Sequence, residues 1–127
     1  THFEIRDPLF RRPTARWCAI AAAALLAVGA IAILAVPDTH TENIITHYTT
    51  TFGIDALGTW SDLLRLPTIG LVLLVTNLGI ARFFVAPRTD AAPPDTRPSI
   101  VLLVATVLLE FAVAVGSLLL FRINALR

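Results

Sequence analysis

Three long apolar runs, separated by polar connections marked with proline, dominate the hydropathy pattern. They cover about Trp17 to Val36, Leu66 to Ala86 and Ser99 to Ile123. In the last, Glu110 is the one formally ionisable side chain between Ile100 and Phe121. As a helix, those 22 residues extend roughly 33 Å, enough to cross a hydrocarbon core of about 30 Å. Hydrocarbon satisfies no exposed peptide group, so each run is expected to close its own hydrogen bonds as a helix. The expected fold is all-α: an integral membrane protein with three transmembrane helices and an extracytoplasmic loop between the first two. The expected division is a cytoplasmic segment at 1–16, helices at 17–36, 66–86 and 99–123, an outer loop at 37–65 and a cytoplasmic loop at 87–98.

Prolines mark the joints. Pro8 and Pro13 argue against one continuous helix at the N-terminus, where either a short interfacial segment beside the headgroups or an ordered or frayed cytoplasmic tail is expected. Pro37 ends the first run, Pro67 suits the first turn of the second helix, and Pro93-Pro94 stiffens the second connection. Ser99 reads as a cap for the third helix. In the long connection, 43–48 reads as a short helical turn, and Thr49-Thr50-Thr51 as extended or irregular backbone. Trp17 and Trp60 are expected to anchor at the interface, and Arg82 to reach the opposite one.

Helical spacing then assigns faces. Ala19, Ala23, Ala27 and Ala30 form a thin face on the first helix, suited to close packing where lipid removes the usual hydrophobic drive. On the second, Gly70, Leu74, Asn77 and Ala81 share a side. On the third, Thr106, Glu110, Ala114 and Ser117 do. Asn77 and Glu110 sit near the midpoints of antiparallel neighbours, so a hydrogen bond between them is expected. In a dry bundle, loss of hydration favours the neutral acid.

Composition supports this picture. The 127 residues are 56% hydrophobic and 15% charged, which leaves no room for a sizeable water-soluble domain beside three spans. The first run follows Arg11, Arg12 and Arg16, yet it exceeds a signal core and Pro37-Asp38-Thr39 lacks a small-x-small cleavage pattern, so it reads as a retained anchor. All ten basic residues are arginine and the net charge is +1, which gives nucleic-acid recognition no basis. Seven arginines fall on the N-terminus and second connection and three on the other side. The excess puts the N-terminus in the cytoplasm and the C-terminus outside.

Candidate chemistry is sparse. Cys18 is the single cysteine, so no internal disulfide or thiolate metal cluster can form. His40, Glu42 and His47 offer imidazole and carboxylate donors in the outer loop without a recognised metal spacing. His47 and Asp55 are two titratable groups that fall short of a catalytic constellation. No glycine-rich phosphate loop, His-Glu-x-x-His run or serine nucleophile arrangement is present. The reading therefore assigns no catalytic residue, cofactor or metal. Glu110 stays open to three roles: a tie between helices through Thr106 or Asn77, a contact with a partner chain, or a step in an ion or proton pathway.

Ile45-Thr46-His47-Tyr48, then Phe52-Gly53-Ile54-Asp55 and Gly58, resembles a family of small bacterial membrane domains of unknown function that also occurs in sporulation-delaying-toxin immunity proteins. His47, Tyr48, Gly53 and Asp55 match its loop pattern, and Pro67 and Asn77 its second-helix pattern. Ile45 and Thr46 stand where that family has a proline shortly before the histidine. The resemblance covers about Pro37 to Ala81 and implies a bacterial or archaeal cell membrane and an immunity or signalling role. The residues themselves favour an accessory or structural subunit of a membrane protein complex, with the bilayer and a membrane protein or a second copy as partners. An oligomeric ion or proton channel or transporter component using Glu110 is the alternative.

Overall fold

The computed structural model describes residues 7–37, 44–51, 53–85 and 95–126. Three α-helices carry the chain: α1 (Pro13–Leu34), α2 (Arg65–Val85) and α3 (Arg97–Ala125). Each is long and apolar enough to cross a membrane, and the protein is an integral membrane protein. Between α1 and α2 lie two antiparallel strands, β1 (Ile44–Thr49) and β2 (Gly53–Gly58), and a 3₁₀ turn at Trp60–Leu64.

Two helices begin earlier than the apolar pattern alone indicates. Pro13 opens α1 and Pro98 sits in the first turn of α3, where a missing N–H costs no helical bond. Ser99 is therefore inside α3 and Thr96 is its N-cap. Instead of capping, the Ser99 hydroxyl donates to the Ala81 carbonyl of α2 at 2.6 Å.

The bundle is inverted relative to a water-soluble one. On α3, Ser99, Thr106, Glu110 and Ser117 are completely buried, whereas Val101, Leu108 and Phe111 are more than half exposed. Polar groups must hide from hydrocarbon, and large apolar side chains lose nothing by facing it. The buried seam Ser99, Leu103, Thr106, Glu110, Val113, Ser117 advances by alternating steps of four and three, the knobs-into-holes spacing of left-handed helix pairs. α3 is the hub, packed against both α1 and α2.

The thin face of α1 differs from the expected one. Ala15, Ala22, Gly29, Ala32 and Ile33 are buried, while Ala23 and Ala27 are exposed. Alanine is so frequent here that several stripes qualify by spacing. The choice falls on the stripe containing Gly29, where a Cβ would lie 3.2 Å from the Ser117 hydroxyl and 3.4 Å from the Ala114 backbone.

Residues 44–49 form a strand, not the expected helical turn. Ile-Ile-Thr-His-Tyr-Thr is rich in β-branched and aromatic residues, and the register is irregular on either side of His47. The far edge of β1 is held by Asn124 at the end of α3. Ile45 N–H donates to Asn124 Oδ1 at 2.8 Å, and Asn124 Nδ2 donates to the Ile45 carbonyl at 2.9 Å and to Leu120 O at 2.8 Å. Trp60 is half-buried and donates from Nε1 to Val36 O at 3.0 Å, so it ties the cap to the end of α1. Asp62, in the 3₁₀ turn ahead of the α2 crossing, accepts from the Thr59 N–H at 2.9 Å and hydroxyl at 3.1 Å. These bonds hold its carboxyl below the usual carboxylate range.

At the other end, residues 1–6 lie outside the described residues, but Asp7 to Arg12 fold back onto the bundle rather than lying flat. Leu9 is fully buried in a cluster with Ala15, Ala81, Val85 and Leu103. Asp7 accepts from Leu9 N–H at 3.0 Å and pairs with Arg82 at 2.9 Å.

Asn124→Ala removes two bonds that join the hairpin to α3 and one within α3. The expected result is a loss of about 1–3 kcal/mol of local stability. Hydrogen exchange in detergent should quicken at the Ile45 amide, with the helical circular dichroism unchanged.

Candidate functional site

The site is the buried seam between α2 and α3, centred on Glu110. As α3 advances, its counterpart on α2 recedes. Ser99 meets Ala81, Asn77 Nδ2 donates to Thr106 Oγ1 at 2.9 Å, Glu110 faces Gly70, and Gly116 faces Leu66. This is the register of antiparallel neighbours.

The expected Glu110–Asn77 bond is not made. Asn77 lies across from Thr106, one turn away from Glu110, and the hydroxyl takes the amide. That hydroxyl is itself oriented by donating to Leu102 O at 2.8 Å. Glu110 instead points at Gly70 of α2, which has no side chain. A Cβ on Gly70 would lie 2.9 Å from Glu110 Oε2, 2.9 Å from Leu26 Cδ1 and 3.2 Å from Val113 Cγ1. All three helices thus meet at Gly70, and the absent side chain is what admits the carboxyl group.

Both carboxyl oxygens of Glu110 are buried and have no hydrogen-bond partner among the described residues. They are the only buried side-chain polar atoms so left among those residues. Ser117, two turns on, is satisfied by donating to Val113 O at 2.8 Å. The seam therefore holds four buried polar side chains of α3, of which three are bonded and one is bare. A bare carboxyl in this setting can take a proton, a water or a polar group from another chain. Among the described residues no second acid or base lies beside it with which to divide acid and base roles.

The remaining candidates are dispersed. Trp17 is 69% exposed on the outer side of α1, as an interfacial ring would be. Arg82 is exposed apart from its pairing with Asp7. His47 is exposed in β1. His40 and Glu42 lie outside the described residues, as do the side chains of Tyr48 and Asp55. Among the described residues no three His, Cys, Asp or Glu side chains gather to hold a metal ion. Sequence reasoning missed Asn124 and the Asp7–Arg82 pair. Both join residues far apart in the chain, and neither leaves a periodic signal.

Compared with known proteins, the chain matches no family model, no curated sequence and no solved structure. What its own fold defines is a small all-helical membrane protein with one unpartnered intramembrane acid.

Gly70→Ala should lower thermal stability in detergent by about 1–3 kcal/mol through overpacking, and Gly70→Val by more. Combining Gly70→Ala with Glu110→Ala should recover part of the loss, because the pair shares one space.

Proposed function

We propose that this protein is an accessory or structural subunit of a membrane protein complex, held in the bilayer by its three helices and acting through lateral contacts. The observation that carries this reading is the disposition of polar groups. Asn77, Thr106, Ser99 and Ser117 all bond within the bundle, which leaves a rigid scaffold with large apolar outer faces. Partner recognition in a membrane needs shape and a few polar contacts, and no reacting group. The partner is a different membrane chain or a second copy.

A second reading, an oligomeric ion or proton channel or transporter component, is favoured by the bare carboxyl of Glu110. Intramembrane acids of that kind bind or release charge. An immunity or signalling role follows only from the resemblance over Pro37 to Ala81. Its matched positions fall on the hairpin and on α2. We further propose that the N-terminus is cytoplasmic and the hairpin and C-terminus extracytoplasmic, on the arginine bias.

Gentle extraction at native expression should yield a complex containing another chain or a further copy, and Glu110→Gln should leave ion flux in proteoliposomes unchanged. A monodisperse single chain would sink the subunit reading, and flux abolished by Glu110→Gln in an intact assembly would establish the second one. For orientation, Cys18→Ala provides a cysteine-free background. Thr50→Cys should react with an impermeant maleimide in intact cells, and Arg12→Cys only after permeabilisation. The reverse pattern would invert the topology.

A further inference from the structure

Between the hairpin, the start of α2 and the end of α3 lies a groove of about 800 Å³, within the range of about 300–1,000 Å³ typical of small-molecule sites. Its deep part is apolar: Gly116, Leu119 and Ile123 of α3 face Leu66 of α2. Its polar lining is Thr46, His47 and Thr50 from the hairpin, Asp62 from the 3₁₀ turn and Arg65 from the start of α2.

Depth matches this gradient. Arg65 and Arg122 are exposed and mark the interfacial level at this end of the bundle. Gly116 is six residues before Arg122 along α3, roughly 9 Å deeper into the hydrocarbon. The groove therefore passes from oil to headgroup over its own height, as a single lipid molecule does. A transmembrane helix of another chain is a poor occupant, because the hairpin closes the groove from above and would block its continuation. A water-soluble ligand would leave the apolar depth unfilled.

The rim carries a guanidinium beside a carboxylate. The Arg65 side chain is 80% exposed, and one of its amines pairs with Asp62 at 3.0 Å. A guanidinium carries five N–H donors, so that single contact aims the group and leaves donors for a phosphate. Asp62 is itself fixed by the Thr59 N–H and hydroxyl. The small size of Gly116 keeps the deep wall open, since a Cβ there would lie 3.2 Å from Leu66 Cδ2.

We propose that this groove binds one phospholipid from the bilayer leaflet on the hairpin side, with an acyl chain along Leu66, Gly116 and Leu119 and its phosphate at Arg65. This goes beyond the subunit reading and does not depend on it.

The test is native mass spectrometry of the full chain titrated with phosphatidylglycerol in detergent, with inorganic phosphate as a separate competitor. The expected result is saturable uptake of one lipid per chain, undisturbed by phosphate. Arg65→Gln should weaken it about tenfold or more, the loss of a charge-assisted bond. Gly116→Leu, checked for retained helix by circular dichroism, should abolish it. If Gly116→Leu fails to fold, Arg65→Gln decides, because that side chain lies outside the core. Non-saturating lipid adducts that are equal in all variants would overturn the proposal. So would displacement by inorganic phosphate, or a protein chain cross-linked into the groove from Leu119→Cys in the Cys18→Ala background.

Discussion

A polar side chain in hydrocarbon has no water to fall back on, and this bundle is arranged around that fact. Ser99 and Thr106 each have one position on α2 that can take them: the Ala81 carbonyl and the Asn77 amide. A slip of α3 by one residue would rotate both hydroxyls off the seam and face Glu110 with a side chain instead of Gly70. Apolar packing alone discriminates weakly between such registers, because lipid competes for apolar contacts on nearly equal terms. The hydroxyls and the amide select the register, and the glycines allow the backbones to approach closely enough for it to form.

The fastening is uneven, and the shape of the molecule follows from that. Among the described residues, the side-chain hydrogen bonds between α2 and α3 lie at Ser99 and Thr106, in the half of the bundle away from the hairpin. Toward the hairpin, Ser117 turns back to its own helix, and the pair is reduced to Gly116 against Leu66. That end is closed from above instead. Asn124 holds β1, Trp60 holds the end of α1, and Ile33, Val36, Ile44 and Leu63 cluster beneath. Polar bonds pin the two helices at one end and the hairpin bridges the other, where the groove lies.

Much of this was legible in the order of residues. Three apolar runs fixed three helices, because no other backbone form survives in oil. The spacing of Thr106, Glu110, Ala114 and Ser117 placed them together on the buried side of α3, and Gly70, Leu74, Asn77 and Ala81 on the facing side of α2. The partner of each polar group was not legible. Midpoint matching located Asn77 and Glu110 at similar depth to within about one turn, and one turn is the difference between Glu110 and Thr106 as acceptor. The buried stripe of α1 was hidden for a different reason: alanine satisfies every helical phase at once. The hairpin was missed because Asn124, which secures its edge, lies 79 residues from Ile45, beyond any local pattern.

Glu110 and Gly70 stand apart from the rest of the seam in one respect. The Asn77–Thr106 bond adds stability and specifies register, so folding alone accounts for both residues. A carboxyl group with neither oxygen bonded does neither. Filling the same volume with an apolar side chain would remove a buried polar group at little cost, and in comparable buried cases such replacements are neutral or stabilising. The glycine opposite weakens the helix interior relative to alanine, and what it gains is room for the carboxyl group together with Leu26 and Val113. Among the described residues Glu110 is thus the buried polar group of the seam that hydrogen bonding within the fold does not account for.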